Sequence, residues 1–487
     1  MTRMGASLIA ALALLGWAVA AQEGPGRTTS SPLPMVAEGR AVESCADPTA
    51  IEAEGGWTML CTSDPLWAGD RYRLLPMFRS EDLVHWSHAG DAFDRDEGTA
   101  VGEPPGWASR RAMLWAPEIE EIGGRFYLFF GVTDVRTGGE PACDSDGAIG
   151  YAVGETSVGP WVVAEAPLIA PRRAGPGCDF LWTYDPEVVA TPEGRRFIYY
   201  GSYYGGIEAR ELTVLPDGSL WADPGTAVPV AVAGRYEGAE VVERDGAWWL
   251  FVSSSNCCNG PQTGYAVFAG RADGPLGPFR DRDEASFLDA RAGGTPVIVQ
   301  NGNGWVGPGH DTVLQDRAGQ WWTIYHAVEE ARPWFGEEVG FTRRPALLDR
   351  LDWVDGWPVV VGGPSEGERA APALEAGKGS GRRAGSRGGG GRGAAARVLG
   401  RVRRDDEPPV AAGCEKRRRP GSPRASSGSG RRTRTSTRTA TTRRCCWRGR
   451  RRGTSWWRRR WRWTCRRGAA SITCRRESCS TGTMTIT

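Results

Sequence analysis

The chain has 487 residues and carries 60 Lys+Arg against 58 Asp+Glu, a formal charge of +2 that hides a sharp division. From Glu366 onward lie 33 of the basic and 8 of the acidic residues, a balance of +25, which leaves 27 and 50, a balance of −23, for everything before it. The first 365 residues contain no Lys, and their acidic balance argues against a nucleic-acid surface there.

In chain order, Met1-Thr2-Arg3, an apolar stretch over 8–20 and the small-residue step Ala18-Val19-Ala20 form the three parts of a secretory signal, assigned to residues 1–21. The apolar stretch is short for a bilayer span and no other segment could cross one, so the mature chain is expected to be secreted, with no membrane partner. Residues 22–40 are rich in Gly, Ser and Pro and are expected to be loose. Twelve Cys, six on each side of the charge boundary, suit an oxidising compartment. Cys45 could bridge to Cys61 and Cys143 to Cys178. The adjacent Cys257 and Cys258 leave open either a bridge with each other or two separate roles.

Residues 41–362 read as all-β. Five times a Gly opens a short aromatic and β-branched run, at 56–61, 124–130, 194–201, 246–253 and 319–326. Ahead of each run stands a polar step: Asp47-Pro48, Pro117-Glu118, Asp185-Pro186, Glu237-Gly238 and Gly309-His310. Asp47, Asp185, Glu237 and His310 each lie nine residues before the Gly of their run, whereas Trp115 holds that place in the second repeat. Turn signals such as Asp245-Gly246 and Pro216-Asp217-Gly218 separate the runs. The recurrence predicts a five-bladed β-propeller, with blades of roughly 50–70 residues against the usual roughly 40–45. A β-sandwich would not bring ionisable residues to a common offset before four of the runs.

In a propeller the innermost strands face the axis, so Asp47, Asp185 and Glu237 would meet in one acidic pocket. Glycoside hydrolysis needs one carboxyl group as acid on the leaving oxygen and one as base on a water. A third carboxylate beside the acid raises its pKa by repulsion and keeps it protonated near neutrality. The trio is therefore sufficient for an inverting glycosidase. Trp115, Trp182 and Tyr184 flank these strands and are candidates for stacking on a sugar ring. The loop over 253–260, with Asn256-Cys257-Cys258-Asn259, follows the strand paired with the acid. It is expected to be held by bridging and could also shape the pocket rim.

Several of these stretches together resemble family 43 of the glycoside hydrolases: Cys45-Ala46-Asp47-Pro48, Leu114-Trp115-Ala116-Pro117-Glu118, Tyr184-Asp185-Pro186-Glu187-Val188, Tyr236-Glu237-Gly238-Ala239-Glu240 and Gly307-Pro308-Gly309-His310-Asp311. The resemblance covers 41–362 and none of the tail. It implies Asp47 as general base, Asp185 as modulator of the acid and Glu237 as general acid, with Glu240 a rival three residues on. It also implies calcium near His310 on the axis, held mostly through water. Glu118 stands where the family often has Asp, which puts pocket shape rather than activity in question.

The resemblance implies a secreted, monomeric, inverting enzyme that cleaves α-1,5-linked L-arabinose in arabinan, with no nucleic-acid partner. An exo-acting α-L-arabinofuranosidase or β-xylosidase is the alternative among enzymes, and a non-catalytic carbohydrate-binding propeller the alternative outside them. Residues 363–487, with Arg runs, Ser/Thr/Gly tracts and few aliphatic residues, are expected to form a low-complexity, disordered basic tail. A Lys-free, GC-rich upstream sequence suggests that this tail is read out of frame.

Overall fold

The computed structural model describes residues 27–95, 103–135, 146–175, 177–289, 293–336, 341–375, 461–467 and 472–478. The chain divides into two compact units, Met1–Ser386 and Arg387–Thr487. The first holds five blade sheets, antiparallel but for one edge strand of the first blade, whose innermost strands are Thr49–Ala53, Leu114–Ile122, Glu187–Ala190, Tyr236–Arg244 and Trp305–Gln315. Each inner strand touches the next, and the fifth touches the first, so the sheets close into a five-bladed propeller.

The second strands are Gly56–Leu60, Arg125–Val135, Arg196–Tyr200, Ala247–Ser254 and Trp321–Glu329, which are the five aromatic runs. They are apolar on both faces because each is sandwiched between neighbouring blades; every residue of Ala247–Ser254 is buried. Two-residue turns with left-handed backbone, Glu54-Gly55, Gly123-Gly124 and Asp245-Gly246, join three of the inner strands to these runs. The apolar clusters lie between blades. One joins Leu60, Leu74 and Phe93 of the first blade to Leu114 and Phe130 of the second. Another joins Trp57, Phe78 and Trp86 of the first to Trp322, Ile324 and Leu348 of the fifth, which seals the ring.

Both ends of the propeller lie outside the predicted 41–362. Residues 27–41 are not loose: Met35–Ala37 pairs in parallel with Trp86–Phe93, and Leu33, Met35 and Ala37 are buried. At the other end Arg369–Ala370 pairs with Thr28–Thr29, Arg369 Nε lies 2.9 Å from Asp349, and Leu374 packs on the first-and-fifth-blade cluster. Composition hides this because a few apolar residues among Gly, Ser and Pro suffice to cover a sheet edge that would otherwise stay unpaired.

Cys45 bonds to Cys61, and Cys257 to Cys258. Cys178 is also disulfide-bonded, while its expected partner Cys143 lies outside the described residues. So do the expected signal segment and most of the basic tail. In the second unit Trp461–Arg467 pairs antiparallel with Ile472–Ser478, where the sequence predicts no element. A two-stranded sheet alone is marginally stable in water. Among the described residues no helix is long and apolar enough to cross a membrane.

Candidate active site

Each inner strand bends at or near its start through a residue with positive φ: Asp47 at 50°, Ala116 at 43°, Asp185 at 53°, Gly238 at 58° and Gly309 at 145°, the last preceded by Gly307 at 61°. Asp tolerates this left-handed conformation better than most residues. At Gly238 an added Cβ would also lie 2.8 Å from the His310 ring, so only glycine fits there. In the second, fourth and fifth blades the ladder shifts register at this bend. Such bulges re-aim side chains beside active sites.

The bend, not the Gly of the following run, sets the true repeat. Asp47 and Asp185 share the bend position, Glu237 stands one residue before it and His310 one after. Counting nine residues from each Gly mixes registers, because Gly56 already belongs to its strand while Gly124 and Gly246 are still in the turn. In the bend-based register Trp115 and Tyr184 are the counterparts of Glu237.

Asp47, Asp185, Glu237, Trp115, Trp182, Tyr184 and His310 all line one cavity of about 540 Å³. Asp47 Oδ1 lies 3.4 Å from Arg344 Nη1, 3.3 Å from His326 Nδ1 and 3.9 Å from His310 Nδ1. Burial alone would raise this carboxyl. The charge of Arg344 outweighs burial and holds Asp47 below the usual carboxylate range. Burial and Arg344 push His326 well below its ordinary value, so it is neutral, and its Nδ1 accepts the Asp47 N–H at 3.2 Å.

Glu237 accepts from Tyr265 Oη at 2.8 Å and from Ser202 Oγ at 2.9 Å. Burial, then repulsion from Asp185, lifts Glu237 to about 7. Asp185 accepts the Gly238 N–H at 3.1 Å, and burial with repulsion from Asp47 lifts it to about 7 as well. The two titrate as a pair that holds a proton into the neutral range. The pocket thus holds an anionic carboxylate on one side and a protonated one on the other.

Trp115 is 39% exposed and its ring centre lies 5.3 Å from that of Tyr184, which in turn lies 6.2 Å from Trp182. Tyr184 packs against Gly131 and Gly147, where a Cβ would lie 3.1 and 2.5 Å from its side chain, so it is a wall as well as a contact. Sequence reasoning misses Arg344, His326, Tyr265 and Ser202. None sits in a motif of its own; Arg344, Tyr265 and Ser202 reach the pocket from loops, and His326 touches Asp47 from a second strand without lining the cavity.

Two residues beyond each bend comes a second set: Thr49, Glu118, Glu187, Glu240 and Asp311, all buried and none lining the cavity. Thr49 Oγ donates to Glu118 at 2.7 Å. Glu187 accepts the Val241 N–H at 2.9 Å and Glu240 the Val313 N–H at 3.0 Å, so each clasps the next blade. Burial pushes Glu118, Glu187 and Glu240 well above the usual range, helped by repulsion from Glu120 on Glu118, from Glu240 on Glu187 and from Glu118 on Glu240, and burial lifts Asp311 to about 6. Glu240, the rival offered by the sequence, is buried outside the cavity that Glu237 lines.

The protein groups around His310 do not make a calcium site. Its nearest carboxylate, Asp47, is engaged by Arg344, and calcium takes six to eight oxygen ligands. Among the described residues no group of three or more His, Cys, Asp and Glu side chains is arranged to hold a metal.

This geometry meets the comparison with known proteins. The profile of Glycosyl hydrolases family 43 matches residues 42–358. The chain belongs to glycosyl hydrolase family 43. It is a glycosidase that hydrolyses O-glycosyl bonds. Among similar proteins, the extracellular endo-alpha-(1->5)-L-arabinanase 1 of Bacillus subtilis is 25% identical over 334 residues, covering 68% of this chain and 92% of that protein. The extracellular exo-alpha-(1->5)-L-arabinofuranosidase ArbA of Cellvibrio japonicus is 25% identical over 315 residues, covering 59% and 80%. The endo-arabinanase of Bacillus licheniformis shares the fold with a TM-score of 0.51 at 23% identity, covering 67% of this chain and 99% of its own.

Proposed function

We propose that this chain is a secreted arabinanase that cleaves α-1,5-linked L-arabinose in arabinan, from within the polymer and with inversion. The observation that carries the chemistry is the opposed pair in one cavity: Asp47 held anionic by Arg344, and Glu237 held protonated by burial and Asp185. Asp47 takes a proton from a water as that water attacks the anomeric carbon. Glu237 gives its proton to the departing glycosidic oxygen in the same displacement, and Asp185 keeps that proton in place at neutral pH. The names of the Bacillus subtilis and Thermotoga petrophila relatives favour endo action, and their extracellular description favours secretion.

Product analysis on linear arabinan tests the reading. Short oligosaccharides first, with the anomer opposite to the substrate's by NMR, support it. Arabinose alone from the start replaces endo with exo action, and retention of configuration removes the single-displacement mechanism. Calcium beside His310 is part of the proposal only as an ion held through water. Activity lost with EDTA and restored by calcium supports it, and unchanged activity and Tm remove it.

A further inference from the structure

Four of the five blades offer aromatic side chains to the cavity: Tyr72 from the first, Trp115 from the second, Trp182 and Tyr184 from the third, Phe341 from the fifth. Tyr72 and Phe341 meet edge to face at 5.9 Å, and Tyr72 and Trp115 are 50% and 39% exposed. Among the described residues the fourth blade's aromatic side chain in the lining, Tyr265, is buried and donates to Glu237, so it leaves no exposed ring face for a sugar. Its loop presents Ser255, Asn256, Asn259 and the bonded pair Cys257–Cys258, and both cysteines line the cavity.

A bridge between neighbouring residues cannot tie two elements together, and a loop of no intervening residues leaves almost no chain entropy to remove. The usual stabilising role of a disulfide is therefore absent. What remains is a small, rigid, polarizable apolar surface. The loop holds it in place: Thr342 Oγ donates to the Cys258 carbonyl at 2.8 Å, the Asn259 N–H donates to the Cys257 carbonyl at 2.8 Å, and Thr263 Oγ donates to the Asn256 carbonyl.

Position adds a role. The loop follows Ala247–Ser254, whose Ser253 pairs across the ladder with Glu237. A sugar on the side of the bond that leaves with Glu237's proton lies nearest to this blade. We infer that the Cys257–Cys258 disulfide is a sugar-binding platform for the leaving-group side of the substrate, taking in the fourth blade the place that aromatic rings take in the others. This rests on the reading that the cavity cleaves a glycan.

The test replaces both residues, Cys257→Ala with Cys258→Ala, in the full chain and compares kinetics on linear arabinan. KM is expected to rise roughly 3- to 10-fold, the range a sulfur or ring contact of this kind contributes. Both kcat, within about twofold, and Tm, within about 2 °C, should stay. An unchanged KM overturns the inference, and so does a KM rise that only follows a fall in Tm. Should the double variant misfold, Thr342→Val releases the loop without touching sulfur; a smaller KM rise with unchanged kcat supports the platform, and no change removes it. Wild-type activity on xylan but not arabinan strikes the proposed substrate while the same comparison on xylan still decides the inference. A wild type inactive on arabinan, xylan and aryl glycosides strikes both.

Discussion

The axis of this propeller carries two sets of carboxyl groups only two or three residues apart along the inner strands, and they do opposite things. Asp47, Asp185 and Glu237 line the cavity, and their neighbours pull them apart in charge, one down and two up. Glu118, Glu187, Glu240 and Asp311 are sealed from it, are all pushed up, and bind backbone or hydroxyl groups, in most cases of the adjacent blade. Residue type does not separate the sets. Access to substrate and the presence of Arg344 on one side do.

The largest effects that would break this comparison belong to the cavity set. Glu237→Gln and Asp47→Asn are each expected to lower kcat on arabinan by about 10²- to 10⁴-fold, the contribution of a general acid or base, with little change in Tm. If Glu240→Gln were as damaging to kcat while the fold stayed intact, the two sets would have been divided wrongly.

Next comes Asp185→Asn, read by the pH profile of kcat/KM. Burial and Asp185 hold Glu237 at about 7, so the wild type loses activity as pH rises through that value. Removing the negative neighbour lets Glu237 ionise at lower pH, and the alkaline limb should move down in pH. A limb that stays in place removes Asp185 as modulator.

The buried set should speak through stability. Glu118, Glu187 and Glu240 have folded-state values raised above those of the unfolded chain, so the native state holds more protons above the unfolded range. Stability is then greatest in mild acid and falls as pH rises from about 5 toward 8. Glu120, Asp185, Glu237 and Asp311 are raised too and add to the same slope. Glu240→Gln should keep kcat within about threefold and flatten the fall of Tm with pH; a steeper fall would contradict the assignment. The smallest effect is Ser202→Ala, which removes one of two hydrogen bonds to Glu237 and should cost about 0.5–1.5 kcal/mol of transition-state binding in kcat/KM.

Much of this was legible in the sequence. The five aromatic runs are the second strands, and the three carboxylates, His310 and the aromatic residues Trp115, Trp182 and Tyr184 share one cavity. The register was not legible. A Gly in a tight turn and a Gly opening a strand look alike, so equal spacing to Glu237 and Asp47 concealed that they enter from different positions. Arg344 and His326 were invisible for another reason: they lie about 300 residues from Asp47, and only ring closure brings the fifth blade against the first.

By itself, then, the sequence determined the strand period, the number of blades and which acids are available, because alternation, turn chemistry and residue type are local properties. Tertiary structure alone decided which acid is charged. A carboxyl group's proton depends on burial and on neighbours a few ångströms away, and in a closed propeller those neighbours arrive from other blades.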